Sequence, residues 1–252
     1  MPCPLPRLAA AFALALPLAA PAAAQPWPQG ARLEFELGGA WTLNNDVRIP
    51  NPGGTRFDLQ RLTGEGPDLF GRATLDYDWG RHGLRGSYQP LRTGGTGTLP
   101  GPTLFAGSSF AGGVPTEGRY RFDTWRLTYR YTLWEGESFR LRLGVTALVR
   151  DALVELRQGA TRARDTDLGF VPLLHAAAEW RLAPRWTLLA EADALAAPQG
   201  RAIDLALRAA YDLSDRWQMT GGLRMLEGGA DNGSVYSFGW FLGGTAGVAA
   251  RF

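Results

Sequence analysis

Residues 235–252 read VYSFGWFLGGTAGVAARF, and their alternation decides the fold. Counted in twos from the end, Phe252, Ala250, Val248, Ala246, Gly244, Leu242, Trp240, Phe238 and Tyr236 share one face. Arg251, Ala249, Gly247, Thr245, Gly243, Phe241, Gly239 and Ser237 share the other. The first face is apolar, with aromatic residues towards both ends. The second is mostly small and closes on an arginine. A period of two is the mark of a strand. An apolar face with aromatic ends, opposite a small polar one, is what a lipid-facing barrel strand requires.

The chain also stops on an aromatic residue, Phe252. Here it resembles the bacterial outer-membrane β-barrel proteins, whose final strand ends in phenylalanine and serves as the assembly signal. The resemblance implies a bacterial outer-membrane location, outer-membrane lipid as surroundings, and the barrel assembly machinery as a partner through that last strand.

The other end of the chain agrees with export. Met1 to Arg7 make a short basic region, Leu8 to Leu18 are apolar, and Ala22, Ala23 and Ala24 precede Gln25. This is the pattern of a cleaved secretory signal peptide at 1–24, leaving the barrel as 25–252. The apolar run is too short for an anchor and carries Pro17 and Pro21. Cys3, the only cysteine, falls inside the leader, so the mature part has no disulfide partner and no thiol ligand.

The length fits one domain. No stretch after the leader is long and apolar enough for a spanning helix. Mean hydropathy is −0.14 while aromatic residues make up 11% of the chain. That pairing suits alternating strands. Removing Arg7 from the 26 basic residues leaves 25 against 24 acidic ones, a balance that speaks against nucleic acid. Every basic residue is arginine, the side chain that pairs best with carboxylates in confined places.

From residue 31 the chain reads as successive hairpins. The fold expected is all-β, a single antiparallel transmembrane barrel of about ten strands, with eight or twelve as alternatives. The strands are expected near 31–49, 68–79, 84–92, 119–133, 139–157, 167–182, 186–197, 202–213, 217–227 and 235–252. Tyr120 and Phe122 break the outward parity of Trp125, Leu127 and Tyr129, which predicts a bulge near Asp123. The Gly, Thr, Pro and Ser composition of 93–118 predicts a flexible surface loop. Short turns alternate with longer connections, and Trp79, Trp134, Trp186 and Trp217 all fall at the short-turn end, as an interface girdle would.

The inward faces hold nearly all the charges: Glu34, Glu36, Asp46, Arg48, Arg72, Asp76, Asp78, Arg85, Arg126, Arg130, Arg140, Arg142, Arg150, His175, Glu179, Arg181, Glu191, Asp193, Asp204, Arg208, Asp212, Arg224 and Arg251. A barrel of this size has a lumen that side chains nearly fill, so Arg–carboxylate pairs are expected. If 183–185 is a turn, His175 faces Asp193 and Ala177 faces Glu191. If 214–216 is another, Arg224 falls diagonal to Asp204. His175, Glu191, Asp193, Asp204 and Arg224 then share one patch of wall. It is the candidate binding patch, for a small ligand or ion, with a salt-bridge plug as the structural reading. His175 beside Asp193 has the form of an oriented base, but no nucleophile accompanies it, so no catalytic residue is assigned.

No metal site and no cofactor are expected, since His82 lies in a turn far from His175. Residues 226–234, LEGGADNGS, lack the spaced carboxylates of a calcium loop. The omptin proteases share the strand count, but their His-Asp and Asp-Asp sets at loop ends have no match here. Nor is there the His-x-Ser element of the lipid A 3-O-deacylase barrels. The function expected is a non-enzymatic barrel, structural or a narrow passive channel with an Arg/carboxylate-lined interior. The alternatives are a lipid- or peptide-acting outer-membrane enzyme, or a surface adhesin working through 93–118.

Overall fold

The computed structural model describes residues 26–252, so the leader read at 1–24 lies outside the described residues. Fourteen strands follow in chain order: β1 (Gly30–Arg48), β2 (Phe57–Asp58), β3 (Asp68–Trp79), β4 (His82–Gln89), β5 (Arg92–Thr98), β6 (Thr103–Phe105), β7 (Ser108–Phe110), β8 (Pro115–Glu135), β9 (Phe139–Gln158), β10 (Thr161–Ala183), β11 (Trp186–Ala197), β12 (Gly200–Asp212), β13 (Trp217–Asp231) and β14 (Tyr236–Arg251). One short helix, α1 (Gln60–Thr63), precedes β3. Each of the ten wall strands β1, β3, β4 and β8 to β14 pairs antiparallel with its neighbours, and β14 pairs back onto β1 from Arg32↔Arg251 to Arg48↔Tyr236. The result is a closed barrel.

Alternation along each strand divides the residues as the pleat demands. Phe35, Leu37, Leu69, Leu75, Leu127, Val145, Phe170, Leu174, Leu207, Leu223 and Trp240 stand on the exterior. Trp79, Trp134, Trp186 and Trp217 are also exposed, ringing the short-turn end. Glu34, Arg72, Asp76, Arg126, Arg208 and Arg224 face inward and are buried. The hairpin turns at this end are tight, as at Gly80 and Arg81 between β3 and β4.

The end of the long connections differs from expectation in four ways. First, the register of β1 shifts between Thr42 and Asn44, which turns Asn45 and Val47 inward and carries Asp46 and Arg48 off the lumenal face. Asp46 instead meets Arg56 at 2.5 Å, and Arg48 lies over the Tyr236 ring. Second, β8 pairs with β9 without a break from Glu117 to Thr132, and its register shift falls between Thr132 and Trp134. Tyr120 therefore shares the inward parity of Thr124 and Arg126, and there is no bulge at Asp123. Third, the connection read at 158–166 is mostly strand, because Thr161 already pairs with Gln158.

The fourth difference is the largest. Residues 93–118 are not a flexible surface loop. Arg92–Thr98 pairs with β8 in the place above β4, and Thr103–Phe105 pairs with Ser108–Phe110 as a hairpin. Leu99, Phe105 and Phe110 are fully buried with Val47, Phe57, Leu59, Leu62, Leu91, Leu156 and Phe241. Phe57 and Phe105 meet edge to face at 5.8 Å, and Tyr120 stacks on Phe241 at 5.7 Å. Side chains tie the cap down: Asn51 Nδ2 donates to Asp231 at 2.8 Å, and Gln158 Nε2 donates to the Ala111 carbonyl at 2.9 Å. The two long connections thus fold into an apolar cap across the mouth of the barrel.

Candidate functional site

Beneath the cap the interior is charged. Inward positions on facing strands are filled by arginine and carboxylate side chains long enough to cross the lumen. At the short-turn end Glu179 joins Arg140 at 2.7 Å and Arg142 at 3.1 Å. Asp78 joins Arg142 and Arg130, each at 3.0 Å. Asp76 joins Arg130 at 2.8 Å, Arg85 at 2.7 Å and Arg32 at 3.4 Å. Glu191 links Arg85 to Arg208, the latter at 2.9 Å. Arg208 also reaches Glu34 and Glu36 at 3.0 Å each. Several pairs span the lumen between strands that are not neighbours in the wall: β4 to β11 through Arg85 and Glu191, and β12 to β1 through Arg208 and Glu34. Each of these buried charges is met by an opposite one, as a low-dielectric interior favours, whereas Arg72 of β3 donates to the neutral Ser87 Oγ at 3.2 Å.

The uppermost layer contains the patch predicted from register. His175 pairs with Asp193 and Ala177 with Glu191 across β10 and β11, and Arg224 lies opposite Ala206 beside Asp204. His175 Nδ1 and Asp193 Oδ1 are 2.8 Å apart, and Thr146 Oγ1 donates to the same oxygen at 2.8 Å. Arg224 Nη1 donates to Asp204 at 2.7 Å. The link between the two halves is Arg126 of β8, at 2.6 Å from Asp204 and 3.2 Å from Asp193. Arg126 was legible as an inward arginine but not as a member of this patch, because it arrives from the far wall. Glu191 does not join the patch directly; its carboxylate is taken by Arg85 and Arg208. His175 and Arg126 are buried, with side chains 2% and 1% exposed, so a macromolecular substrate has no access to them.

The short-turn end opens into a vestibule of about 1040 Å³ lined by Arg130, Arg140, Arg142, Glu179 and Arg208 among others. Trp27 lies across it. Its ring is covered by the guanidinium groups of Arg181 at 3.9 Å and Arg140 at 4.5 Å, and its Nε1 donates to the Gly136 carbonyl at 2.9 Å. Arg181 in turn donates to the Pro26 carbonyl at 3.1 Å. His82, at the first residue of β4, contacts the Tyr129 hydroxyl and stacks on Trp79 on the barrel's exterior.

No protein-family model matches the chain, and no curated protein matches it. Solved structures similar to it include bacterial outer-membrane barrels. The outer membrane protease OmpT from Escherichia coli superposes with a TM-score of 0.55 at 11% identity, over 89% of this chain and 97% of that one. The translocator domain of the autotransporter NalP from Neisseria meningitidis gives 0.45 at 13%, over 91% of each chain. The attachment invasion locus protein Ail of Yersinia pestis gives 0.41 at 12%, over 89% of this chain and all of that one. At such identities the likeness to OmpT speaks for fold alone. The fold is that of the bacterial outer-membrane β-barrel proteins.

Proposed function

We propose that the chain is a non-enzymatic barrel of the bacterial outer membrane, exported by the leader at 1–24, and that its interior is closed. In this reading it is a structural or surface-presenting barrel and not the passive channel that the sequence allowed. The short turns would face the periplasm and the cap the cell exterior. Lipid would cover the apolar belt, and the assembly machinery would read the last strand and Phe252.

The observation that carries the reading is the filled lumen: an apolar cap above a chain of ion pairs running from Glu179 to Asp193. Solvated ions need a continuous water path, and paired side chains crossing between opposite walls interrupt one. The interior patch favours structure over catalysis for a second reason. Its His–Asp pair is buried and enclosed by arginines, where no lipid or peptide bond can reach it. Adhesion through 93–118 was motivated by a long flexible loop, and these residues instead form β5 and the β6–β7 hairpin.

The test is single-channel recording on the refolded mature chain in a planar bilayer, with folding checked by circular dichroism. Silence from folded protein is expected. Stable steps that scale with salt concentration would overturn the closed reading and restore the channel.

A further inference from the structure

Above the apolar belt, the outward residues of β5, β8, β9 and β10 fall in rungs across one side of the wall. Arg92, Arg121, Leu153 and Thr166 share a rung, with Asp123, Asp151 and Leu168 on the next one down. Arg92 holds Asp123 at 2.8 Å and Arg121 holds Asp151 at 2.7 Å, so this tier is balanced. The rungs above carry Arg119, Glu155 and Arg164, then Glu117, Arg157 and Arg162. Asp165 lies on the same stretch of β10 but has the inward parity of Ala163, which is buried in the cap cluster. Residues 99–114 and 159–160 beside this tier carry no charge. Four arginines therefore face two carboxylates. Their pairing is thin: Glu155 meets Arg162 at 2.7 Å and Arg119 at 4.0 Å, and Glu117 meets Arg157 at 4.0 Å. Among the described residues Arg164 has no ion pair.

Arg119, Arg157 and Arg162 line an open cleft of about 380 Å³ with Glu155 and the turn at Gly159 and Ala160. Glu155 is 8% exposed, because Arg119 and Arg162 close over it, while the three arginine side chains are each more than half exposed. The cleft therefore presents guanidinium forks, the geometry that matches a phosphate. Its height selects what carries that phosphate. Arg164 and Arg162 lie four and six residues beyond Leu168, the last strongly exposed apolar side chain of β10. At about 3.3 Å per residue and a strand tilt of about 40°, that is roughly 10–15 Å above the belt. A phospholipid headgroup layer is about 5–8 Å deep, so its phosphate stays below the cleft. A phosphate carried on headgroup sugars reaches it. Directly beneath, Trp125, Val149, Leu168 and Phe170 are exposed on the exterior, and acyl chains packed there would hold such a headgroup beside the cleft at high local concentration. We propose that Arg119, Arg157, Arg162 and Arg164 bind the phosphorylated saccharide headgroup of an outer-leaflet glycolipid. The proposal rests on the membrane-spanning, cap-outward reading given above.

Lipopolysaccharide, a phosphorylated glycolipid, is the probe, and the same preparation after enzymatic dephosphorylation is its match. The refolded barrel in neutral detergent should bind the phosphorylated form about tenfold more tightly, and added salt should weaken that binding. Arg157→Gln combined with Arg164→Gln should remove the preference. Both side chains are exposed and neither makes an ion pair closer than 4.0 Å, so the melting temperature should hold. Arg201→Gln, elsewhere on the same rim, should leave the preference intact. Equal binding of the two forms, a preference that survives the double variant, or one lost as fully in Arg201→Gln would each overturn the proposal. Competition by inorganic phosphate at equal phosphate concentration would overturn the lipid assignment and make the cleft a site for soluble phosphate. The orientation is tested separately. Ala160→Cys supplies the sole thiol after the leader and should react with a membrane-impermeant maleimide on intact cells. No labelling would overturn the outward orientation and the lipid assignment with it, while the titration would still report whether the cleft prefers phosphate.

Discussion

At the scale of single residues, the interior separates side chains by what their removal strands. Arg224→Ala takes one of two arginines from Asp204 and leaves Glu36 with Arg208 alone. Both carboxylates keep one arginine, so what is lost is a charge-assisted hydrogen bond in a buried place, about 1.5–3 kcal/mol. Urea unfolding of Arg224→Ala in lipid vesicles should show a loss of that order. Arg201 and Glu227 form a contrasting pair at 2.6 Å near the long-connection end, with the arginine side chain half exposed. Arg201→Ala should cost no more than about 1 kcal/mol, because water screens the pair and the free arginine loses little. Equal losses for the two substitutions would mean that the lumen is as wet as the surface. The patch shows what register alone could reveal. His175 opposite Asp193 and Arg224 beside Asp204 followed from counting across two hairpin turns. Arg126 did not, because alternation assigns a residue to a face and says nothing about which side chain it meets across an enclosed lumen.

At the scale of elements, the cap was the part least visible in the sequence. Glycine, threonine and proline in 93–118 carry the composition of a loop, and composition cannot distinguish flexibility from close approach. Here several glycines serve approach. A Cβ on Gly97 would sit 2.1 Å from the Arg61 carbonyl oxygen, and one on Gly118 would sit 2.7 Å from Leu62 Cβ. Both glycines lie on the inner surface of the β5–β8 wall, where helix α1 rests directly on the backbone. Their lack of a side chain is what lets Leu59 and Leu62 reach the apolar cluster. Gly118→Val should therefore lift α1 and cost about 1–3 kcal/mol as overpacking. Hydrogen exchange should quicken at residues 60–63 while the amides of β9 to β14 stay protected; unchanged protection at α1 would mean that the helix is not held by this contact. The outward faces of β3, β11 and β14 were legible because nothing interrupts their period of two. The same rule failed in β1, where the register shift at Thr42/Asn44 reverses the parity of Asp46 and Arg48. Tyr120 and Phe122 misled for a related reason. Aromatic residues usually mark the lipid face, but here they face an apolar cap inside the barrel.

At the scale of the whole molecule, two barriers lie in series along the barrel axis, and they are physically unlike. The cap is a small hydrophobic core, closed by burial of Leu59, Leu62, Phe105 and Phe110 and dependent on two connections staying docked. The layer below is a mesh of ion pairs anchored in the wall strands themselves. Arg126 of β8 reaches Asp204 of β12, and Arg208 of β12 reaches Glu34 of β1, so the mesh persists as long as the barrel does. Replacing residues 99–113 by a short Gly-Ser linker removes Phe105 and Phe110 but leaves β5 and β8 to pair. The barrel should fold, because none of the wall ladders passes through the deleted residues. Water should then reach Tyr120, Leu156 and Phe241, and a hydrophobic dye should bind where it does not bind the intact protein. Conductance should nevertheless stay silent, since the ion pairs beneath still cross the lumen. Steps that appear on removing the cap alone would show that water already permeates the charged layer, and that the cap is the gate of a conducting pore. Steps that appear only when Arg126→Ala is added would assign the seal to the mesh. The first outcome makes the long connections a movable lid; the second makes them a cover over a barrel that its own wall keeps shut.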